Sequence, residues 1–167
     1  MDRDAVDLIL EQWNKERPDV DVSSMGVLGR LNRASRLVGL DVQRFMNRFG
    51  LEPWEFDVLA TLRRSAAEAP LTPGRLASLT MIGSAAMTNR VDRLVSRGLV
   101  HRETNPDNRR QLLISLTPEG RTLVDEVVEY HVGNQQRMLD GLSKTEQAQL
   151  ANLLRKFLLM NDDGEPA

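Results

Sequence analysis

LTPGRLASLTMIGSAAMTNRVDRLVSRGLVHRETNPDNRRQLLISLTPEG, residues 71–120, decides the fold. Thr72-Pro73 is a helix start: a capping hydroxyl, then a ring whose missing N–H would have gone unpaired anyway. Arg75 to Leu79 is then a short helix, and residues 80–83 turn the chain. A second helix is predicted from about Ser84 to Arg97, with Gly98 as its left-handed stop. Leu99 to Thr104 and Arg110 to Leu116 are β-rich runs flanking Asn105-Pro106-Asp107-Asn108, a turn cluster. Helix, turn, helix and β-hairpin make a winged helix-turn-helix.

At 100° per residue, Met87, Val91, Leu94 and Val95 form a core stripe on the second helix. Ala85, Ala86, Asn89, Arg93 and Ser96 fall on the opposite side, Arg90 and Arg97 on one flank and Asp92 on the other. Small residues let a helix sink into the major groove, and Asn or Arg can hydrogen-bond base edges. Asn89 and Arg93 are therefore the candidates for base contacts, with Ala85 and Ala86 near a thymine methyl. Ser84 and Thr88 could hold phosphates through their hydroxyls. Arg110, with Arg109, is the candidate for a minor-groove contact from the hairpin. The bland alternative, a solvated face and a solvated hairpin tip, loses ground because both features sit in one motif.

The surrounding chain extends this frame. Of 167 residues, 41% are hydrophobic and 28% charged, as in an ordinary globular domain. The net charge of −2 looks wrong for a DNA binder, but its distribution corrects that. Residues 72–110 hold seven arginines against three acids, and local charge sets the footprint on phosphate. There are no cysteines, which excludes disulfides and a thiol switch. His101 and His131 are expected to be packing or surface residues, and neither a cofactor nor a metal is called for. No apolar run is long enough to span a membrane and the N-terminus lacks a signal-peptide pattern, so a cytoplasmic protein is expected.

Residues 2–17 read as an amphipathic helix with Val6, Ile9, Leu10 and Trp13 on one stripe. Ser23 or Ser24 caps a long helix to about Arg48, closed by Gly50. Pro53 opens a helix to about Ala69, with Trp54, Val58 and Leu62 on one stripe. Thr117-Pro118 starts a long helix toward Leu139, and Ser143-x-x-Glu146 is a capping box opening the last one. The long and terminal helices carry more apolar surface than one small domain can cover, which points to a symmetric dimer. The expected architecture is mainly α with a small β-hairpin wing in a single domain, 1–167. Residues 51–116 form the winged helix-turn-helix, 1–50 and 117–160 the dimerisation helices, and 161–167 a flexible tail.

Leu76-Ala77, Val91-Asp92-Arg93-Leu94, Arg97-Gly98-Leu99-Val100 and Leu116-Thr117-x-x-Gly120 resemble the MarR family of bacterial transcription regulators. Arg110 and Leu116-Thr117-x-x-Gly120 follow its Asp-x-Arg…Leu-Thr-x-x-Gly signature, except that Asn108 stands where the family carries an acid. The resemblance implies a two-fold dimer, usually a repressor, on a near-palindromic double-stranded operator. The N-terminal helix ending Trp13-Asn14-Lys15-Glu16-Arg17-Pro18-Asp19 resembles the urate-responsive branch typified by the PecS and HucR regulators. That resemblance implies a ligand set of Trp13, Asp57 and Arg90, with Arg102 alongside. An indole offers a stacking face, arginine a forked donor for an anionic oxygen, and Asp57 an acceptor for ring N–H. Urate, another small aromatic or carboxylate anion, or no ligand at all remain open. Trp13 could instead be a core anchor, and Asp57 and Arg90 a structural ion pair.

Two other classes compete. An enzyme finds no support: no His-acid pattern near a serine, no Gly-rich phosphate loop, and scarce metal ligands. A winged-helix protein-interaction module would expose aromatics or aliphatics on the second helix, where this sequence places Asn89 and arginines.

Overall fold

The structure, a computed structural model, describes residues 3–80 and 87–161. Among these, seven helices and one hairpin follow in the order α1 (Ala5–Glu16), α2 (Ser23–Asn47), α3 (Pro53–Arg64), α4 (Pro73–Leu79), α5 (Met87–Ser96), β1 (Val100–Thr104), β2 (Leu112–Leu116), α6 (Pro118–Met138) and α7 (Lys144–Met160). The chain divides into two compact units, Met1–Arg44 and Phe45–Ala167, with the division inside α2.

In the first unit, Asp4 caps α1 and forms a capping box with Asp7. The Asp4 backbone N–H, and after it the Arg30 guanidinium, hold the Asp7 carboxyl below its ordinary range. Arg30 of α2 reaches both acids, at 2.9 Å to Asp4 and 2.6 Å to Asp7. Between these polar ties, α1 lies close because α2 offers glycines. A Cβ on Gly29 would meet Val6 at 3.3 Å, and one on Gly26 would meet Leu10 at 3.3 Å. Only Val6 of α1 is buried, while Ile9 and Trp13 remain 46% and 45% exposed. The apolar stripe expected on this helix is thus half covered, since the glycine notches receive only Val6 and Leu10. Ser23 is the first helical residue rather than the cap. Asp21, two residues before it, accepts the Ser23 N–H at 2.9 Å, and that bond lowers the Asp21 pKa.

In the second unit, the core gathers Met46, Leu51, Val58, Leu59, Leu62, Leu71, Leu76, Met87, Val91, Leu94, Ile114, Val124 and Val127. It is built where α3 packs on α6, α4 and β2, and where α5 packs on α4 and β1. At the C-terminal end of α2, Phe45 and Phe49 stack at 5.2 Å. His131 of α6 packs against Phe45 and Phe56, at 5.6 and 5.0 Å between ring centres, so it is a packing residue. Helix α3 stops at Arg64, short of Ala69. Ser65 leaves the helical backbone, with φ −96° and ψ 23°, and residues 65–68 form a turn.

Thr72 caps α4 by accepting the Arg75 N–H, with Pro73 in the first turn, as the sequence predicts. The strands pair antiparallel from Val100↔Leu116 to Thr104↔Leu112. Leu71 adds a bridge to the free edge of β2, exchanging backbone bonds with Ile114 at 3.0 and 2.8 Å. Thr117 caps α6, and both arms of the Ser143–Glu146 capping box are formed. That box lowers the Glu146 pKa, the Ser143 hydroxyl contributing most.

Much apolar surface stays uncovered. No residue of α7 is buried, and Leu150, Leu153, Leu154, Phe157 and Leu158 are each at least about a third exposed. Val27, Leu28, Leu37, Val38 and Leu40 of α2 are exposed as well. Among the described residues no helix is long and apolar enough to cross a membrane.

Candidate nucleic-acid interface

Helix α5 turns Met87, Val91 and Leu94 into the core. Val95, expected beside them, is half-buried, while Thr88, Asn89, Asp92, Arg93 and Ser96 are exposed. Among the exposed residues of α5 there is no aromatic or large aliphatic side chain. Ser84, Ala85 and Ala86, also expected to contact DNA, lie outside the described residues.

The arginines of α5 are held by the start of α3. Arg90 and Arg93 lie with their guanidinium carbons 5.7 and 5.5 Å from the centre of the Trp54 ring, a cation–π arrangement. Arg93 Nε is also 3.6 Å from Glu55 Oε1, yet its side chain keeps 59% of its exposure. Arg97 donates to Glu55 Oε2 at 2.7 Å and to the Gly50 carbonyl at 3.0 Å. Glu55 itself is 1% exposed and completes a capping box with Glu52. On the other flank, Asp92 accepts from Arg102 of β1, so α5 is tied to the hairpin as well as to α3.

Neither Trp54 nor Glu55 stood out as functional in the sequence. Trp54 reads there as one member of the α3 core stripe, and Glu55 carries no local pattern that singles it out. The signal lay on the partner helix. Arg90, Arg93 and Arg97 recur at i, i+3 and i+7, within about 60° of one another, and so share a face that needs a counter-charge.

The wing tip is a closed turn. Asn105 N–H bonds to the Gln111 carbonyl at 2.8 Å, and the two side-chain amides meet at 2.6 Å. Asn108 accepts the Arg110 N–H at 3.2 Å through its own side-chain oxygen. An amide oxygen can make that bond as a carboxylate would, so Asn108 in place of the family's acid keeps the turn. Arg109 and Arg110 stand exposed at the tip.

The proposed ligand residues fall in both units. Trp13 belongs to α1. Asp57 is buried on α3, 8% exposed. Arg90 is half-buried, and its Nη1 has no hydrogen-bond partner among the described residues. Arg102 is engaged by Asp92. Among the described residues no group of acids and histidines could hold a metal ion.

A capped helix, a second helix with a polar and cationic outer face, and an arginine-tipped hairpin define a winged helix-turn-helix DNA-binding protein. The chain belongs to the MarR family of transcription regulators. The family's sequence model matches residues 49–111. The chain is 39% identical over 146 residues to the HTH-type transcriptional regulator PecS of Dickeya dadantii, covering 87% of this chain and 88% of that one. It is 31% identical over 135 residues to the multiple antibiotic resistance protein MarR of Escherichia coli, covering 77% and 90% of the two chains. A single-site mutant of E. coli MarR, solved in complex with operator DNA, superposes with a TM-score of 0.70 at 26% identity over 87% of this chain and 97% of that one. Bordetella bronchiseptica BpsR, whose DNA binding is regulated by 6-hydroxynicotinic acid, superposes equally well, with a TM-score of 0.70 at 30% identity over 81% and 93%. These relatives are transcription regulators, not enzymes, and this chain is a PecS-like regulator that acts by binding DNA.

Proposed function

We propose that the protein is a dimeric repressor that binds a near-palindromic operator and releases it on binding a small anionic aromatic such as urate. The observation that carries this reading is the outer face of α5, where Thr88, Asn89, Arg93 and Ser96 are exposed while Met87, Val91 and Leu94 are buried. Asn89 and Arg93 serve base edges, Thr88 and Ser84 phosphates, and Ala85 and Ala86 a thymine methyl. The winged helix-turn-helix at 51–116 is the reading head. The helices within 1–50 and 117–160 supply the apolar surface of a two-fold interface, which sets two reading heads about 34–36 Å apart.

At the wing, Arg109 and Arg110 enter the minor groove. Arg110→Ala is expected to weaken operator binding by at least ~1 kcal/mol at fixed salt. Unchanged affinity in the same titration would take the wing out of the interface.

The ligand set is Trp13, Asp57, Arg90 and Arg102, in keeping with the resemblance to the urate-responsive branch. Two features support an anion. Arg90 Nη1 lacks an acceptor among the described residues. Arg102 already holds a carboxylate, that of Asp92 on α5, so an anion that draws Arg102 away loosens the tie between α5 and the wing. A ligand shifts the DNA-binding equilibrium only by its different affinity for the two states.

The test is a titration of the protein on its own upstream DNA at two salt concentrations, with urate or 6-hydroxynicotinic acid added. Binding that is sequence-specific and weakens steeply with salt supports the reading of α5. Release by urate supports the purine pocket, and release by the nicotinate alone moves the ligand to a carboxylate. Indifference to both up to millimolar concentration removes the small-anion switch.

A further inference from the structure

We propose that Glu55 is a positioning residue for DNA reading: its buried carboxylate fixes the direction in which α5 presents Arg93. This rests on the reading of α5 as the helix in the groove, and it concerns a residue that touches no DNA itself.

A carboxylate that is 1% exposed is retained only where partners offset its desolvation. Among the described residues Glu55 has three, of which two donate hydrogen bonds to Oε2 while the third only faces Oε1, which accepts no hydrogen bond. Its own helix start supplies the Glu52 N–H at 2.9 Å. Arg97 donates at 2.7 Å, and Arg93 Nε stands at 3.6 Å from the other oxygen. Two of the three come from α5 and its C-terminal end, so the carboxylate's solvation is bound up with the placement of that helix.

Trp54, the residue before Glu55, lies under the guanidinium groups of Arg90 and Arg93. Ring and carboxylate flank Arg93, and the carboxylate acts on it by charge through Nε at 3.6 Å rather than by a hydrogen bond. The two-nitrogen end of the fork, the part that pairs with guanine or with a phosphate, is not what Glu55 holds. Arg97 bridges Glu55 to the Gly50 carbonyl, which fastens the far end of α5 to the turn before α3. Arginine placed in this way meets a base edge with little further loss of rotamer freedom, a loss that is large for long side chains. A free Arg93 would still attract any phosphate. Sequence discrimination, rather than overall attraction to DNA, is therefore what Glu55 supplies.

The experiment first selects the tightest duplex for the wild-type protein from a random library. Affinities for that duplex and for a scrambled one are then measured for wild type, Glu55→Gln and Arg97→Lys. Glutamine keeps an oxygen for the Glu52 N–H but presents no charge to the arginines. Lysine keeps the charge of Arg97 yet cannot span Glu55 and Gly50 as a fork does. The ratio of specific to scrambled affinity is expected to fall at least tenfold in E55Q and severalfold in R97K. Scrambled binding should be unchanged, or stronger in E55Q, where a negative charge has gone. A change in stability alone would not move this ratio. Where circular dichroism shows E55Q to be unfolded, R97K decides. A ratio within twofold of wild type in either folded variant overturns the proposal. Failure of the wild type to select any sequence overturns the reading of α5 and the proposal with it.

Discussion

Leu153→Asp combined with Phe157→Asp is expected to yield a folded monomer with at least a hundredfold weaker hold on its operator. Leu153 is 67% exposed and Phe157 38% exposed on α7, a helix with no buried residue. The two lie one turn apart, on the stripe that also carries Leu150 and Leu154. Their exposure means that the chain's own core loses little when they change. A two-fold interface uses each of them twice. Full burial of a large apolar side chain contributes about 1.5–3 kcal/mol, so covering the exposed parts of these four accounts for roughly 3–6 kcal/mol at such an interface, before any cost of burying carboxylates there. A monomer reads one half-site, and it loses the gain of about 10²–10⁴ that linkage of two sites provides. Sedimentation of both proteins, with circular dichroism and an operator titration, checks each step. A wild-type monomer, or a variant that remains dimeric, would remove α7 from the interface.

What the sequence revealed and what it concealed divide along the range of the interactions. Thr72-Pro73, Thr117-Pro118 and Ser143-x-x-Glu146 are legible because a cap and its donor lie within one turn, and all three form as expected. The stripe of Met87, Val91 and Leu94 is legible for the same reason: one helix period decides it. Pairings across the chain left no such mark. Leu71 closes on Ile114, 43 residues away by number, with nothing local to announce a strand. Nothing local singles out Glu55, and only the fold brings Arg97, at the end of α5, against it. The stripe of α1 reads as core, yet Ile9 and Trp13 stay open because the glycines of α2 admit only Val6 and Leu10. The outer face of α5 follows from its period. The tethering of Arg93 by Trp54 does not, because that depends on where α3 begins in space.

Gly120→Ala should lower stability by about 3 kcal/mol or more, at the upper end of what overpacking costs. A Cβ at this position would stand 2.0 Å from the Leu99 carbonyl oxygen and 2.9 Å from its carbon. Both are backbone atoms, so no rotamer change relieves the contact. The backbone is also pinned on every side. Leu99 N–H bonds to the Leu94 carbonyl at 3.0 Å, and the Leu99 carbonyl accepts the Thr117 N–H at 3.2 Å. The Thr117 hydroxyl donates to the Gly98 carbonyl at 2.8 Å and accepts the Gly120 N–H at 2.9 Å. This knot joins the end of α5, the start of β1 and the first turn of α6, so relief of the clash would pull the wing away from the recognition helix. Alanine's helix preference offsets only about 1 kcal/mol. For a chain of this size a net loss of about 2 kcal/mol corresponds to a melting temperature lower by roughly 4–8 °C, accompanied by loss of operator binding. Gly133 supplies the contrast on the same helix. Nothing lies within 4 Å of a Cβ there, and Gly133→Ala is expected to raise stability by about 1 kcal/mol through helix preference alone. Thermal denaturation of the two variants side by side isolates the contact. If both raise the melting temperature, Leu99 does not approach α6 as closely as this packing requires.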